Sequence, residues 1–186
     1  MEADWEFEVG GGAPVIDTFW PGFVDLRHTP ELAWKLAEAA ELPALAATLE
    51  RLNSQASPVW TSKCDYWPEL KPEEFDPDEL SAPPGSSAHA AACYIDLLAQ
   101  GDREWSLPHL AEAVCKHFCS VLGLMPMRCC RVDLIIRRAM IAAEMIDLGV
   151  SAYITACGPT AADAKRTLES ALDLFADALC PHSTLQ

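Results

Sequence analysis

The sequence has few basic residues and no catalytic motif of high specificity. Only 13 of its 186 residues are Lys or Arg, against 28 Asp or Glu, and the formal net charge is −15. A surface this acidic repels the phosphates of nucleic acids and the headgroups of anionic lipids. We therefore expect no nucleic-acid partner and no membrane partner.

Long hydrophobic runs are also missing, since 18 consecutive apolar residues, the length typical of a membrane-spanning helix, occur nowhere. The most apolar stretch, 132–150, is interrupted by Asp133, Arg137, Arg138, Glu144 and Asp147. The first eight residues include four acids, and no basic segment followed by an apolar one indicates a secretory signal. These absences predict a cytoplasmic protein whose eight cysteines are reduced thiols.

The sequence contains no GxSxG, HExxH or P-loop motif. We predict no catalytic residues, no cofactor, no metal and hence no enzymatic activity. Cys115 and Cys119 share a helix face, but without a second ligand pair we interpret them as buried thiols. The alternative function is a small thiol-dependent enzyme or small-ligand-binding α+β domain, with Cys64 as its nucleophile candidate and Cys129 or Cys130 as weaker ones.

Acidic residues are concentrated in the first part of the chain. Residues 1–80 contain 17 acids and 5 bases, whereas residues 81–186 contain 11 acids and 8 bases. The segment 65–80, which we call the acidic segment, has seven acids, one lysine and three prolines. Because proline interrupts helices and central strands, we expect this segment to be an exposed loop.

Aromatic residues alternate with the acids of the acidic segment, a composition typical of protein interfaces. The alternative is a solvated acidic surface whose rings pin the loop to the sheet. The predicted partner-binding residues are Asp65, Trp67, Glu69, Glu73, Glu74, Phe75, Asp76, Asp78 and Glu79.

Local patterns predict several helices and strands. Pro30 after Thr29 predicts a helix over 30–53 that Pro43 either kinks or splits. Residues near 58–66 have the composition of a strand. In the second half, Ser106 is the predicted cap of a helix whose apolar face is formed by Leu110, Val114, Phe118 and Val121.

The remaining segments are strands at 93–98 and in SAYITACG, and a helix at 160–179 with a capping box at Thr160 and Asp163. Residues 131–148 fit both a strand and a helix, and we favour a strand over 131–138. The predicted fold is α+β, a single domain with one mixed sheet covered by helices. It comprises an acidic N-terminal part (1–80), a linker-like turn (81–87), a C-terminal part (88–180) and a disordered tail (181–186).

In size, acidity and α+β character, the whole chain resembles the small acidic immunity proteins that bacteria make to neutralise secreted toxins. The resemblance rests on general character and on no diagnostic motif. It implies a non-catalytic protein-binding module that neutralises a basic partner, such as a toxin domain.

Overall fold

The structure is a computed structural model that describes residues 1–100, 105, 107–141 and 145–180. The predicted tail at 181–186 and the predicted cap Ser106 lie outside the described residues.

Six strands form one mixed sheet in the order β1-β5-β6-β4-β3, with β2 beside the far end of β5. β1 and β2 run parallel to β5, and the other pairs are antiparallel. The strands are β1 (Glu2–Glu8), β2 (Val15–Asp17), β3 (Val59–Trp67), β4 (His89–Ala99), β5 (Cys130–Ile141) and β6 (Met145–Gly158).

Among the described residues, five helices pack on one face of this sheet, and the sixth, Pro72–Glu74, lies in the acidic segment. Four are α-helices, namely α1 (Ala37–Glu41), α2 (Pro43–Leu52), α3 (Pro108–Gly123) and α4 (Ala161–Leu179), and two are short 3₁₀ helices, Pro30–Lys35 and Pro72–Glu74. α4 contacts β6 and β4, α2 packs on α4, and α3 lies against β1 and β5. The predicted α+β class with a single domain and a mixed sheet is confirmed.

The region 30–53 is split into three short helices. Leu36 is extended, with φ −70° and ψ 143°, and it separates the 3₁₀ helix from α1. Leu42 then leaves the helical region because the ring of Pro43 disfavours it at the preceding residue, and Pro43 begins α2. The predicted split at Pro43 is present, but the prediction missed the break at Leu36.

Residues 81–87 do not separate two parts of the chain. β3 and β4, which precede and follow them, are hydrogen-bonded neighbours in the same sheet. The first three residues of the acidic segment, 65–67, belong to β3 and not to a loop. The turn-forming composition of 81–87 therefore marks only the end of the long β3–β4 connection.

The ambiguous region 131–148 is strand in β5 and at the start of β6, so the helical alternative is wrong. β4, α3 and β5 form a parallel β-α-β unit, since both strands are antiparallel to β6, which lies between them. In α4, the hydroxyl of Thr160 accepts a hydrogen bond from the Asp163 amide at 3.1 Å, as the capping pattern predicts.

The predicted apolar face of α3 needs correction. The buried residues of this helix are Ala111, Cys115 and Leu122. Of the predicted face, Val114 and Phe118 pack against the core while partly exposed, and Leu110 is 40% exposed. Small side chains at 111 and 115 allow the helix to approach the sheet closely, and this rotates the larger Leu110 towards solvent. Hydrophobicity alone favoured the larger residues and placed the buried face about one position too early.

The main core lies between the helices and the sheet, and α4 contributes most to it. Its buried stripe consists of Ala164, Leu168, Ala171, Leu172, Phe175 and Leu179. Phe175 is 1% exposed and is among the largest fully buried side chains. Burial of such a ring contributes roughly 2 to 3 kcal/mol to folding.

We expect Phe175→Ala to lower the free energy of unfolding by about 3 to 5 kcal/mol, because the cavity adds to the lost burial. Trp67→Ala, at the partly exposed end of β3, should shift the melting midpoint by only a few degrees. Thermal melts of both variants test this. If Trp67→Ala were unfolded while Phe175→Ala melted normally, the assignment of core and surface would be reversed.

Candidate partner-binding site

The face of the sheet opposite the helices carries polar and aromatic side chains. Side chains alternate along a strand, so every second residue of each strand points to this side. In β6, Ser151 and Tyr153 point to it, whereas Ala152 and Ile154 belong to the helix-side core. We call this surface the open face.

One end of the open face is closed by the segment that follows β2. A small apolar cluster there contains Ile16, Phe23, Trp60, Leu98 and Ala139. The Ser62 hydroxyl donates a hydrogen bond to the Asp17 carbonyl oxygen at 2.9 Å. β2 and β3, which lie towards opposite edges of the sheet, therefore meet at this end, and the sheet curls around the open face.

The acidic segment covers the other end. Its apolar residues and their neighbours form a third cluster that contains Leu70, Phe75, Leu80, Ala82, Ala90, Cys129 and Cys157. The Leu70 amide donates a hydrogen bond to the Ala90 carbonyl oxygen at 2.8 Å and fixes the start of the loop to β4. Phe75 and Leu80 thus hold the loop on the sheet, while its acids point outwards.

A continuous row of side chains crosses the middle of the open face. The rings of Trp67 and Tyr94 stack with centroids 5.8 Å apart, and Tyr94 stacks on Tyr153 at 5.5 Å. The Arg137 guanidinium lies 5.6 Å from the Tyr153 ring and donates two hydrogen bonds to Oε2 of Glu8, at 2.9 and 2.7 Å. The row, from Trp67 to Glu8, connects β3, β4, β6, β5 and β1.

A buried carboxyl group lies beside this row. Asp96 is 4% exposed, and one of its oxygens accepts a hydrogen bond from the Ser151 hydroxyl at 2.5 Å. Ser151 in turn accepts a hydrogen bond from Arg137 Nη1 at 3.1 Å. Burial raises the pKa of Asp96 to about 6, although the Ser151 hydrogen bond and the charges of Arg137 and Lys63 act in the opposite direction.

Between the row and the acidic segment, the structure forms a pocket of about 440 Å³. It is lined by Asp4, Trp5, Glu6, Glu79, Arg131, Asp133, Leu134, Ile135 and Tyr153. Four carboxylates face one guanidinium there, so the pocket is negatively charged. Tyr153 and Ile135 add apolar surface between these charges.

Arg131 is the centre of the charges in the pocket. Its guanidinium lies 2.7 Å from Asp133, 3.5 Å from Asp4 and 3.9 Å from Glu79. One arginine cannot neutralise three carboxylates, and burial raises the pKa of Asp133 above its ordinary value despite the Arg131 hydrogen bond. The pocket therefore keeps an excess of negative charge that a cation would stabilise.

The structure divides the nine predicted partner-binding residues into three groups. Glu69, Glu73, Glu74, Asp76 and Asp78 are exposed on the acidic segment, and Glu79 is exposed where it lines the pocket. Asp65 and Trp67 belong to β3 and lie on the open face. Phe75 is partly buried in the cluster under the loop, so its ring is largely an anchor of the loop.

The residues predicted from the sequence do not include the pocket residues outside the acidic segment, among them Asp4, Glu6, Arg131, Asp133 and Tyr153. A signal for the first two was present, because EADWEFE places an acid at every second position. In a strand this alternation puts all of these acids on one side. The position of Asp133 opposite Asp4 depends on the pairing of β1 with β5, which no local pattern indicates.

The cysteine side chains are all free thiols in the structure. Cys115 is buried as predicted, and Cys157 is buried as well, whereas Cys119 is only partly buried, which corrects the prediction. Burial raises the pKa of the Cys64 thiol to about 12, and nearby carboxylates add to this. A thiol with so high a pKa is a poor nucleophile at neutral pH, so the environment of Cys64 does not favour it as a nucleophile.

We expect Asp96→Asn to stabilise the protein at neutral pH. Because the pKa of this group rises from 3.8 to about 6 on folding, the folded state loses stability as the pH increases through that range. A shift of this size corresponds to about 3 kcal/mol at most. The neutral amide avoids this loss and keeps a hydrogen bond with Ser151.

Urea unfolding at pH 4, 6 and 7.5 measures this effect. The gain of Asp96→Asn over the native protein should grow with pH and reach about 1 to 3 kcal/mol at pH 7.5. Asp173→Asn, on the exposed side of α4, is the matched control and should show no such trend. An Asp96→Asn variant that is less stable than the native protein at pH 7.5 would contradict this account of the buried carboxyl group.

We also expect native protein to show few fast-reacting thiols and denatured protein to show all eight. A thiol titration at pH 8 measures both numbers. Because the pKa of Cys64 is about 12, Cys64→Ser should leave the fast-reacting number unchanged. A loss of one fast thiol in that variant would restore Cys64 as a reactive residue.

No helix of the described residues has the length and hydropathy needed to cross a membrane. Among the same residues, no group of three or more His, Cys, Asp or Glu side chains is arranged to bind a metal ion. The chain matches no protein-family model, no curated protein and no solved structure.

Proposed function

We propose that this protein is a non-catalytic, cytoplasmic binding module that neutralises a basic protein partner. The observation that carries the proposal is the convergence of acids from three separate segments on one side of the molecule. β1 supplies Asp4 and Glu6, β5 supplies Asp133, and the acidic segment supplies Glu79. They surround one pocket on the open face, beside the edge strand β1.

Besides its negative charge, the open face provides an aromatic surface that a basic partner can contact. Tyr153 presents an aromatic ring at the pocket, and aromatic rings bind both cations and the aliphatic parts of Arg and Lys side chains. The row from Trp67 to Glu8 holds Tyr153 in place by stacking and hydrogen bonding. A preorganised aromatic floor surrounded by carboxylates loses little entropy when a cationic side chain binds.

The exposed acids of the acidic segment have a different role in the same proposal. Charges at the rim of an interface mainly raise the rate of association, because they steer an oppositely charged partner before contact. Glu73, Glu74 and Asp78 extend the negative field of the pocket over that end of the open face. In this proposal the exposed acids of the acidic segment form the rim, and the pocket forms the centre of the interface.

Neutralisation of a toxin fits this arrangement. A toxin that acts on nucleic acids needs a basic cleft for phosphates, and a carboxylate-lined surface is complementary to such a cleft. An inhibitor that masks the cleft needs only affinity and no chemistry of its own. The same reasoning extends to any basic partner whose active surface must remain covered.

Charge reversal tests the proposal with two matched variants. Glu6→Lys with Glu73→Lys alters the pocket and its rim, and Glu31→Lys with Asp173→Lys makes the same charge change at exposed positions outside both. Affinity capture from the cells that produce the protein, at low and high salt, is followed by mass spectrometry. We expect the native protein and the Glu31/Asp173 variant to retain one stoichiometric basic protein that high salt releases.

The Glu6/Glu73 variant should lose this protein, with a reduction of at least tenfold and an unchanged melting temperature. Interface charges of this kind act mainly on the association rate, so the recovered complex should show a slower on-rate. Equal capture by both variants, or capture of no basic protein at all, would overturn the proposed function.

A further inference from the structure

β1 is an edge strand with one free side. It pairs with β5 through all seven of its residues, Glu2 to Glu8. Among the residues that the structure describes, no segment forms backbone hydrogen bonds with the other edge of β1. Half of the strand's backbone N–H and C=O groups therefore point outwards, where another extended chain can pair with them. The Trp5 amide donates a hydrogen bond to Oδ1 of Asp4 at 2.8 Å in the free protein.

The side chains of β1 differ between its two sides. Glu2, Asp4 and Glu6 are exposed and point to the open face, as does the partly exposed Glu8. On the helix side, Trp5 packs against the main core, and Phe7 is 38% exposed. The free edge therefore has an acidic side and an apolar side, in strict alternation.

Acids on an edge strand protect it from pairing with chains of the same charge. A second copy of this protein carries the same acids and a net charge of −15, so edge pairing between two copies is repulsive. The same acids attract a strand with basic residues at every second position. The acids at this edge therefore favour pairing with a basic strand and disfavour pairing with a second copy of the protein.

We propose that an extended basic segment of the partner adds to the sheet as a strand along the free edge of β1. This inference rests on the proposed function and specifies its binding mode. Basic side chains at alternate positions of the added strand lie opposite Glu2, Asp4 and Glu6, and the side chains between them contact Phe7 and its surroundings on the helix side.

The pocket fits this mode because Asp4 and Glu6 of β1 form one of its walls. A Lys or Arg side chain from the added strand lies one strand spacing from Asp4 and Glu6, so its charge can reach this wall of the pocket. The added backbone hydrogen bonds supply affinity, and the alternation of acids fixes which side of the added strand faces the pocket.

Three synthetic nine-residue peptides test the mode by fluorescence anisotropy. The first alternates Lys and Val, and the other two carry N-methyl groups on the Lys residues only or on the Val residues only. Alternate amides of an added strand point towards its neighbour, so one methylated peptide should lose at least tenfold in affinity and the other should bind within about twofold of the parent. Hydrogen exchange of the β1 amides should slow when the parent peptide binds.

The matched variants are Asp4→Asn with Glu6→Gln and, as a control, Glu31→Gln with Asp173→Asn. We expect the first pair to weaken binding of the parent peptide at least tenfold and the control pair to leave it unchanged. Equal affinity for both methylated peptides, or no effect of the Asp4/Glu6 pair, would overturn strand addition.

The two proposals fail in different ways. If affinity capture retains a basic partner that depends on Glu6 and Glu73 but the methylated peptides bind equally, strand addition is wrong and the proposed function stands. If capture retains no basic protein, the proposed function itself is wrong. Reversible dimerisation of the native protein that slows hydrogen exchange of the β1 amides would assign the edge to a second copy and overturn strand addition by a partner.

Discussion

Coverage of only one face by helices is the constraint on which the rest of the structure depends. The polar and aromatic groups of the open face must satisfy one another, and the row from Trp67 to Glu8 does this across five strands. Arg137 is its central member, because it contacts Tyr153, Ser151 and Glu8. Its charge also makes the buried Asp96 less costly. Removing Arg137 would leave Ser151 and Glu8 without this hydrogen-bond partner, so the polar end of the row behaves as a unit.

The elements that the sequence predicted well are those with strong local signals. α4 has a capping residue and an apolar stripe of helical period, and both signals act within a few residues of the chain. The 30–53 region and α3 were predicted less well because their details depend on contacts. The break at Leu36 has no proline to mark it, and the buried face of α3 is determined by the small residues Ala111 and Cys115 at the sheet. Tertiary packing determines where these helices break and which face they bury, and the composition of the sequence does not indicate that packing.

The candidate site likewise has one part that could be predicted from the sequence and one part that could not. The acidic segment was visible as a cluster of acids and prolines, and its acids from Glu69 to Glu79 are exposed as expected. The centre of the site is assembled by pairing between strands that are far apart in the chain. Asp4 lies opposite Asp133, and Glu79 approaches Arg131 only because Phe75 and Leu80 hold the loop on the sheet. Register between distant strands is a tertiary property, so no window of the sequence contains it.

Like charges in the pocket have a cost that a cationic ligand removes. Burial raises the pKa of Asp133, and Asp4 and Glu79 add to the effect, while Arg131 compensates only in part. A Lys or Arg side chain entering the pocket adds the missing positive charge and lowers the pKa of Asp133, so its affinity rises with pH through the range in which this carboxyl group ionises. Electrostatic energy that destabilises the free protein thus becomes part of the binding energy. An excess of acids around one arginine is unfavourable as a purely structural ion-pair cluster, but it suits a surface that is completed by a basic partner.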